Sequence, residues 1–107
     1  MNQTQLLDRL AELYKKNIDI SKSKSADYAG VDSPFKNFEV IDFLTNGKVS
    51  VEEGLLVRMS DKMQRIANLI YTDAKVKDES IHDTLSDLAN YSMILRIYLE
   101  YKNGQVR

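Results

Sequence analysis

Apolar residues recur every three or four positions in several parts of the chain, which is the spacing of one face of an α-helix. The first series predicts an amphipathic helix from about Thr4 to Ile18. Its apolar face consists of Leu6, Leu10, Leu13, Tyr14 and Ile18. The next segment, SKSKSADYAGVDSP, has no such spacing and contains a glycine and a proline, so it predicts a loop. Ordered loops of this length in a small protein often carry function.

Two further helices are predicted in the middle of the chain. The first covers Phe35 to Leu44 and is stopped by the turn residues Asn46-Gly47. The second follows Ser50-Val51-Glu52-Glu53, a sequence that matches a capping box with Ser50 as the N-cap. Its apolar positions continue to about Tyr71.

The polar connector TDAKVKDES leads to a last helix, from roughly Glu79 to Lys102. Ser80 or Asp78 is suited to cap its start, and Asn103-Gly104 ends it. Four helices of unequal length predict an all-α fold, specifically an antiparallel four-helix bundle. The 107 residues fit a single helical domain, residues 1–107.

Composition excludes several classes of function. With 15 Lys and Arg against 16 Asp and Glu, the chain lacks the basic field of a protein that binds nucleic-acid polymers or membrane surfaces. It has no cysteine and one histidine, His82, so disulfides, thiolate metal sites and multi-histidine sites are not expected. A signal peptide and a membrane span are also not expected. These features predict a cytoplasmic protein.

The last predicted helix carries carboxylates where apolar residues are expected. At about 100° per residue, Asp83 and Asp87 fall in line with Asn90, Ile94 and Tyr98 on one inward-facing strip. A buried carboxylate without a partner is costly, so these side chains must meet a cation. The cation is either a metal ion or a basic side chain.

Basic side chains are available on the preceding helix. Its edge carries Arg58, Asp61, Lys62 and Arg65 at helical spacing. Antiparallel packing would set the three basic residues against Asp83 and Asp87. One interpretation is therefore a network of ion pairs between helices with no catalytic role.

A metal site is the other interpretation. Glu52 lies near the centre of the apolar arc of its helix, and with Glu79, Asp83 and Asp87 it would converge at one end of the bundle. Several carboxylates with few cations suit Mg²⁺, which prefers oxygen ligands. Glu53 is weaker evidence because the capping box already explains it.

The predicted loop and the start of the second helix offer complementary chemistry. Cations bind phosphates, and aromatic rings stack on bases, so this region predicts a nucleotide lid. The alternative is a solvated loop beside two core phenylalanines. The residues are Lys22, Lys24, Asp27, Tyr28, Lys36 and Asn37, with Phe35 and Phe38 beside them.

Four segments carry a family resemblance: KSADYAG, SPFKNFE, VEEGLLVRMSDKMQRIANLI and VKDESIHDTLSDLANYSMI. Together they resemble the phage and bacterial nucleotide-modification-associated domain family, over about Lys24 to Ile94. That family is related to the all-α NTP pyrophosphatases of MazG and dimeric dUTPase type. The resemblance implies a cytoplasmic helical bundle (in the host cytoplasm if the chain is phage-encoded), usually oligomeric. It also implies Mg²⁺ bound by paired acidic helices, and hydrolysis of a (deoxy)nucleoside triphosphate to monophosphate and pyrophosphate.

The resemblance also assigns metal ligands. The acidic pair on the earlier helix falls on Glu52 and Glu53, and the later acidic motif falls on Asp83 and Asp87, with Glu79 nearby.

One position departs from the MazG-type pattern. A further glutamate is expected three residues after the acidic pair, and the chain has Leu56 there. Asp61, with Lys62 and Arg65, is the expected replacement. Lys62 and Arg65 would neutralise charge that develops on the phosphates. Substrate contacts are expected from Lys24, Asp27, Tyr28, Asn37, Arg58, Asp61 and Asn90.

Three functions follow from these observations. The leading one is a Mg²⁺-dependent pyrophosphohydrolase acting on (d)NTPs, and the second is a protein of the same fold that binds a nucleotide or nucleotide-derived molecule without cleaving it. The third is a helical scaffold whose charges neutralise each other. A homo-oligomer, dimer or tetramer, is expected because Tyr91, Ile97, Tyr98 and Tyr101 spread apolar surface around the last helix.

Overall fold

The structure is a computed structural model that describes residues 1–27, 33–72 and 80–104, apart from the side chains of residues 24–27. These residues form four helices and no strand, which confirms the all-α class. The helices are α1 (Gln3–Asp27), α2 (Lys36–Leu44), α3 (Val51–Tyr71) and α4 (Ile81–Lys102). They belong to two compact units, Met1–Asp32 with α1 and Ser33–Arg107 with the other three helices. The four-helix bundle and the single domain stay predictions.

Helix α1 is longer than its apolar pattern. It begins at a reciprocal cap, in which the backbone N–H of Gln5 donates to Asn2 Oδ1 and the N–H of Asn2 donates to Gln5 Oε1, both at 2.9 Å. It ends at Asp27, so the prediction of a loop is wrong for residues 21–27. These seven residues have no apolar face, and the two lysines and the alanine among them favour helix while the three serines and the aspartate do not, so neither periodicity nor propensity predicts this extension. Lys24 therefore lies on a helix, as does Asp27.

The predicted stop of α2 is confirmed. Asn46 and Gly47 both have positive φ, 53° and 79°. The N–H of Gly47 donates to the carbonyl of Asp42 at 2.8 Å, and the N–H of Asn46 donates to that of Phe43 at 3.3 Å. This is the Schellman arrangement, which satisfies the last carbonyls of a helix.

The predicted caps of α3 and α4 are also present. Ser50 Oγ accepts from the N–H of Glu53 at 3.1 Å, and the Glu53 carboxylate accepts from the N–H of Ser50 at 3.3 Å, which completes the capping box. At the start of α4, Ser80 Oγ accepts from the N–H of Asp83 at 3.1 Å. Of the two predicted caps for α4, the structure uses Ser80.

Helices α3 and α4 pack against each other in opposite directions. Glu52, in the first turn of α3, pairs with Lys102 at the end of α4, whereas Lys62 pairs with Asp87 in the first half of α4. Only antiparallel helices bring these positions together. The interior of the pair contains Leu55 and Thr84, both buried, with Val51 buried at the start of α3.

Helix α2 covers one side of this helix pair. Phe35, at its N-cap, is 7% exposed and lies edge-on to Tyr98, with ring centroids 5.2 Å apart. A second aromatic pair joins Phe38 to Tyr91. Further along α2, Ile41 approaches Gly54 so closely that a Cβ at position 54 would lie 3.0 Å from its Cγ2 atom. The interpretation of Phe35 as a core residue, rather than a base-stacking one, is confirmed.

These contacts involve three of the residues on which the expected homo-oligomer rests. Tyr91 and Tyr98 are half-buried because Phe38 packs on the first and Phe35 on the second, whereas Tyr101 contacts Phe35 at a centroid distance of 5.4 Å and is still 57% exposed. The homo-oligomer stays a prediction.

None of the helices in the described parts of the chain is both long and apolar enough to cross a bilayer.

Candidate functional site

Charged residues gather on one side of the α3–α4 pair. Around the axis of α3, Arg58 and Arg65 lie about 60° and 80° from the fully buried Leu55, both in the same rotational sense. Around the axis of α4, Asp87 and Asp83 lie about 60° and 100° from the buried Thr84, again in that sense. Because the helices are antiparallel, an equal sense of rotation brings these residues to the same side of the pair. We call it the charged side, made of Arg58, Asp61, Lys62, Arg65, Asp83, Asp87 and Asn90.

The centre of the charged side is an ion pair. Lys62 Nζ lies 3.1 Å from Asp87 Oδ2, and the two side chains are 23% and 44% exposed. The predicted meeting of Lys62 with Asp87 is confirmed. A carboxylate and an ammonium that are still partly open to solvent can exchange this contact for a ligand at lower cost than a buried pair.

Arg58 does not pair with the aspartates as predicted. Its guanidinium carbon lies 4.8 Å from the ring centroid of Phe38 and 5.9 Å from that of Tyr91. A cation over aromatic rings is held by about 0.5–1 kcal/mol at such exposed positions. The Arg58 guanidinium therefore lies where α2 packs on the helix pair, one turn of α3 before Lys62.

The other members of the charged side surround the ion pair. Arg65 and Asn90 are half-buried, and each makes further polar or electrostatic interactions. Asp61 and Asp83 are exposed. The strip therefore presents both cations and carboxylates to solvent along roughly two turns of each helix.

Glu52 lies elsewhere. Its Oε2 atom accepts a hydrogen bond from Lys102 Nζ at 2.9 Å, and this contact lowers the pKa of the Glu52 carboxyl below its ordinary value of 4.5. The same carboxylate raises the pKa of Lys102. With about 1.5 Å of rise per residue, Glu52 is about 15 Å from Lys62 along α3. The expected convergence of Glu52 with Asp83 and Asp87 is wrong within one chain, because antiparallel packing sets the start of α3 against the end of α4.

Comparison with protein families gives one match. Residues 46–99, half of the chain, match the family described as nucleotide modification associated domain 1. The chain belongs to this family. Comparison with curated proteins and with solved structures gives no match.

The matched segment of the nucleotide modification associated domain covers α3 and most of α4, and so includes the whole charged side. It leaves out α1, together with Phe35 and Phe38. The relation to MazG-type pyrophosphatases stays a prediction.

The remaining predicted site residues have other positions. Glu53 is held in the capping box, as its sequence context predicted. Asn37 is exposed on the first turn of α2, outside the residues that match the family model. Lys24 and Asp27 have described backbones but no described side chains, and Tyr28 and Glu79 lie outside the described residues.

No group of three or more histidine, cysteine, aspartate or glutamate residues in the described part of the chain could hold a metal ion. A shallow depression elsewhere, along α1, is lined by residues of that one helix and is crossed by the Lys15–Asp19 ion pair at 3.2 Å. A groove on a single helix offers no convergent set of groups. The charged side is therefore the candidate site.

Sequence reasoning missed the role of Lys102. The sequence contained the signal, because antiparallel helices that pair Lys62 with Asp87 also place the start of α3 beside the last turn of α4. The Glu52 carboxylate, on the apolar arc of α3, is neutralised there by Lys102 and needs no bound ligand.

Proposed function

We propose that the protein binds a (deoxy)nucleoside triphosphate on the charged side of α3 and α4 and hydrolyses it, with Mg²⁺, to monophosphate and pyrophosphate. The observation that carries this proposal is the meeting of cations and carboxylates around Lys62 and Asp87, 3.1 Å apart, inside the segment that matches the family. A metal-bound polyphosphate needs both kinds of group at one place.

The phosphate contacts fall to three side chains of α3. Arg58, Lys62 and Arg65 follow one another at intervals of four and three residues, so neighbours are about 5–6 Å apart on the helix surface. That spacing suits successive phosphates of a triphosphate. Guanidinium and ammonium groups donate charge-assisted hydrogen bonds to phosphate oxygens.

The carboxylates fit a magnesium ion that arrives with the nucleotide. Mg²⁺ in nucleotide sites is commonly held by one or two carboxylates together with substrate phosphates. Asp83 and Asp87, one turn apart on α4, provide this number of ligands, although the described residues hold no larger acidic group. When bound, the ion would neutralise phosphate oxygens and make water a better nucleophile.

The remaining chemistry is assigned to this chain's own side chains. A water attacks the α-phosphorus and loses a proton to the solvent. A new P–O bond forms while the bond between the α-phosphorus and the oxygen that bridges it to the β-phosphorus breaks, and pyrophosphate leaves with that oxygen. Lys62 and Arg65 neutralise the charge that develops on the phosphates during this step. Asn90, half-buried on α4, has both a donor and an acceptor to orient a phosphate oxygen or a carboxylate.

A second candidate is nucleotide binding without hydrolysis. The observation in its favour is that Glu52 and Glu53, two of the expected metal ligands, are engaged with Lys102 and with the Ser50 cap. The charged side then has cations for phosphates but fewer carboxylates for a metal. Such a protein would sequester a nucleotide or a nucleotide-derived signal.

Pyrophosphate release from the common dNTPs and NTPs, measured with and without Mg²⁺, tests the proposal. We expect Mg²⁺-dependent release from at least one nucleotide, and loss of this activity in Asp87→Asn. The matched control is Asp8→Asn, the same change at an exposed position of α1, which should retain activity. The absence of release from every nucleotide would contradict hydrolysis.

Calorimetry with a non-hydrolysable dNTP analogue separates the two candidates. Binding that weakens in Lys62→Met and in the presence of a chelator supports the magnesium enzyme. Binding that is independent of the chelator, with unchanged nucleotide recovered afterwards, supports the sequestering protein. No binding at all would leave the scaffold interpretation, in which Lys62 and Asp87 only neutralise each other.

A further inference from the structure

The guanidinium of Arg58 lies beside two aromatic rings that come from two other helices. Phe38 of α2 and Tyr91 of α4 are perpendicular to each other, with ring centroids 6.4 Å apart. The guanidinium carbon of Arg58, on α3, is 4.8 Å from the first centroid and 5.9 Å from the second. We call Phe38 and Tyr91 the aromatic corner. Three helices therefore meet at this one cation.

The aromatic corner is held more firmly than the arginine beside it. Phe38 and Tyr91 are half-buried, whereas Arg58 is exposed. The helix fixes the backbone of Arg58, but an exposed arginine side chain keeps much rotamer freedom, which it loses when it binds a ligand. The attraction between the guanidinium charge and the ring faces restricts that freedom before a ligand arrives.

The aromatic corner holds the charge of Arg58 without using its hydrogen-bond donors. A cation is attracted by the electrons of a ring face, so the N–H groups of the guanidinium keep their capacity to donate to phosphate oxygens. Lys62 differs, because its ammonium lies 3.1 Å from the Asp87 carboxylate. Within the described residues, the contacts of Arg58 are with the two rings, so a phosphate can bind it without first displacing a carboxylate.

The aromatic corner adjoins the centre of the charged side along both helices. Arg58 is one turn before Lys62 on α3, and Tyr91 is one turn after Asp87 on α4. Because the helices are antiparallel, both steps lead towards the same end of the pair. Side chains one turn apart are about 5–6 Å apart, so a polyphosphate that contacts Lys62 would reach Arg58 with a neighbouring phosphate.

We propose that Phe38 and Tyr91 are positioning residues, which hold the Arg58 guanidinium ready to bind a phosphate of the nucleotide. This inference rests on the proposed function and adds to it two side chains that act through Arg58. It also makes α2 part of the site, although Phe38 lies outside the residues 46–99 that match the family. The effect is on affinity, because an arginine that is ordered in advance loses less side-chain entropy when the ligand binds.

Proton NMR of the ligand-free protein tests the position of Arg58. Protons over the face of an aromatic ring resonate upfield, so the side-chain signals of Arg58 should lie upfield of those of free arginine. Phe38→Leu should move them back towards the free values. The matched control is Phe43→Leu, which removes a ring that is 82% exposed on the same helix and should leave the signals in place. Arg58 signals at the free-arginine positions in the wild type would overturn the proposal.

Calorimetry with a non-hydrolysable dNTP analogue tests what the positioning does. Phe38→Leu should weaken binding about 2- to 10-fold, which corresponds to the entropy of ordering one long side chain. Phe38→Tyr keeps a ring and should bind as the wild type does, as should Phe43→Leu. In an Arg58→Met background, Phe38→Leu should have no further effect, a non-additivity that a general loss of packing would not produce.

Turnover gives a further measurement that separates positioning from a structural role. Phe38→Leu should raise KM and leave kcat unchanged, because the contact that it weakens binds substrate and transition state alike. If Phe38→Leu does not fold, Tyr91→Leu removes the other ring and allows the same measurements.

The outcomes distinguish this inference from the proposed function. Upfield Arg58 signals in a protein that binds no nucleotide would contradict the proposed function, and the phosphate role of the aromatic corner with it. Nucleotide binding that Phe38→Leu weakens equally in the wild-type and Arg58→Met backgrounds would overturn the positioning alone. Binding that Phe38→Leu leaves unchanged would do the same.

Discussion

Two ion pairs join α3 to α4, and they differ in their surroundings. Glu52 and Lys102, 2.9 Å apart, close the end where α3 begins, beside the capping box of Ser50. Lys62 and Asp87, 3.1 Å apart, lie further along the helices, with additional cations and carboxylates around them. The first pair has a further carboxylate near it, since Asp42 also acts on Lys102, whereas the second lies among further cations as well as carboxylates.

This difference shows how to interpret an acidic residue on an apolar helix face. Glu52 met that description in the sequence, and its partner proved to be a lysine at the opposite end of the next helix. Asp87 also has a lysine partner, but Arg65, Asp83 and Asn90 share its side of the helix pair. An acidic residue therefore indicates a candidate site only where further charged and polar side chains lie beside its ion pair.

The largest expected effect concerns what holds the Glu52 end together. Leu55, one turn after Val51, is fully buried, so Leu55→Ala removes packing that the ion pair does not replace. We expect a loss of about 2–5 kcal/mol in the free energy of unfolding, measured by urea denaturation. The control Val57→Ala, at a position that is 60% exposed, should change it by less than about 0.5 kcal/mol. Equal losses for the two variants would show that the interior is not where the structure places it.

The second prediction compares the two lysines directly. Lys62→Met should lower nucleotide turnover or affinity by about 100-fold, because a cation near the phosphates is lost. Lys102→Met, the same change in the other ion pair, should leave both unchanged. Turnover assays and calorimetry on the two variants measure these effects. A larger functional loss for Lys102→Met would assign the site to the wrong end of the helices.

Local sequence rules predicted much of the fold. The capping box at Ser50, the serine cap of α4 and the Asn46-Gly47 stop each depend on neighbouring residues, so a single segment contains the necessary information. The end of α1 was not predictable from periodicity, since residues 21–27 have no apolar face, nor from propensity, since three serines and an aspartate are among these seven residues.

The candidate site was predictable in part, for a related reason. Helical spacing placed Lys62 and Asp87 on facing edges, and antiparallel packing was enough to bring them together. The same packing separates Glu52 from Asp83, but that conclusion requires the register of the helices, which spacing within one helix does not contain. Arg58 was misplaced because its preference for the rings of Phe38 and Tyr91 depends on where α2 packs.

The third prediction tests the cap beside the Glu52–Lys102 pair. Ser50→Ala removes the acceptor of the Glu53 N–H and should cost about 1 kcal/mol in the free energy of unfolding, measured by thermal or urea denaturation. Ser60→Ala, at an exposed position inside the same helix, should be neutral or slightly stabilising, because alanine is the better helix former. If both variants had the same stability, the cap would not contribute to this end of the helix pair.

The smallest expected effect is the pH dependence of the Glu52–Lys102 pair. The lysine lowers the pKa of the Glu52 carboxyl in the folded protein, so the carboxylate contributes stability above its unfolded pKa of about 4.5 and loses it as the pH falls through the folded value. The pKa of Lys102 is raised, so its contribution is present below 10.5 and is lost only as the pH rises through the still higher folded value.

Between these limits the pair contributes its full, solvent-screened stabilisation, which we expect to be smaller than that of the Ser50 cap. Glu52→Gln should therefore be slightly less stable than the wild type near neutral pH, and the difference in the free energy of unfolding should shrink as the pH falls below 4.5 and the wild-type carboxylate takes up a proton. Denaturant unfolding near neutral pH and in acid measures it. If Glu52→Gln also abolished pyrophosphate release at neutral pH, Glu52 would belong to the active site after all, and the distinction between the two ion pairs would fail.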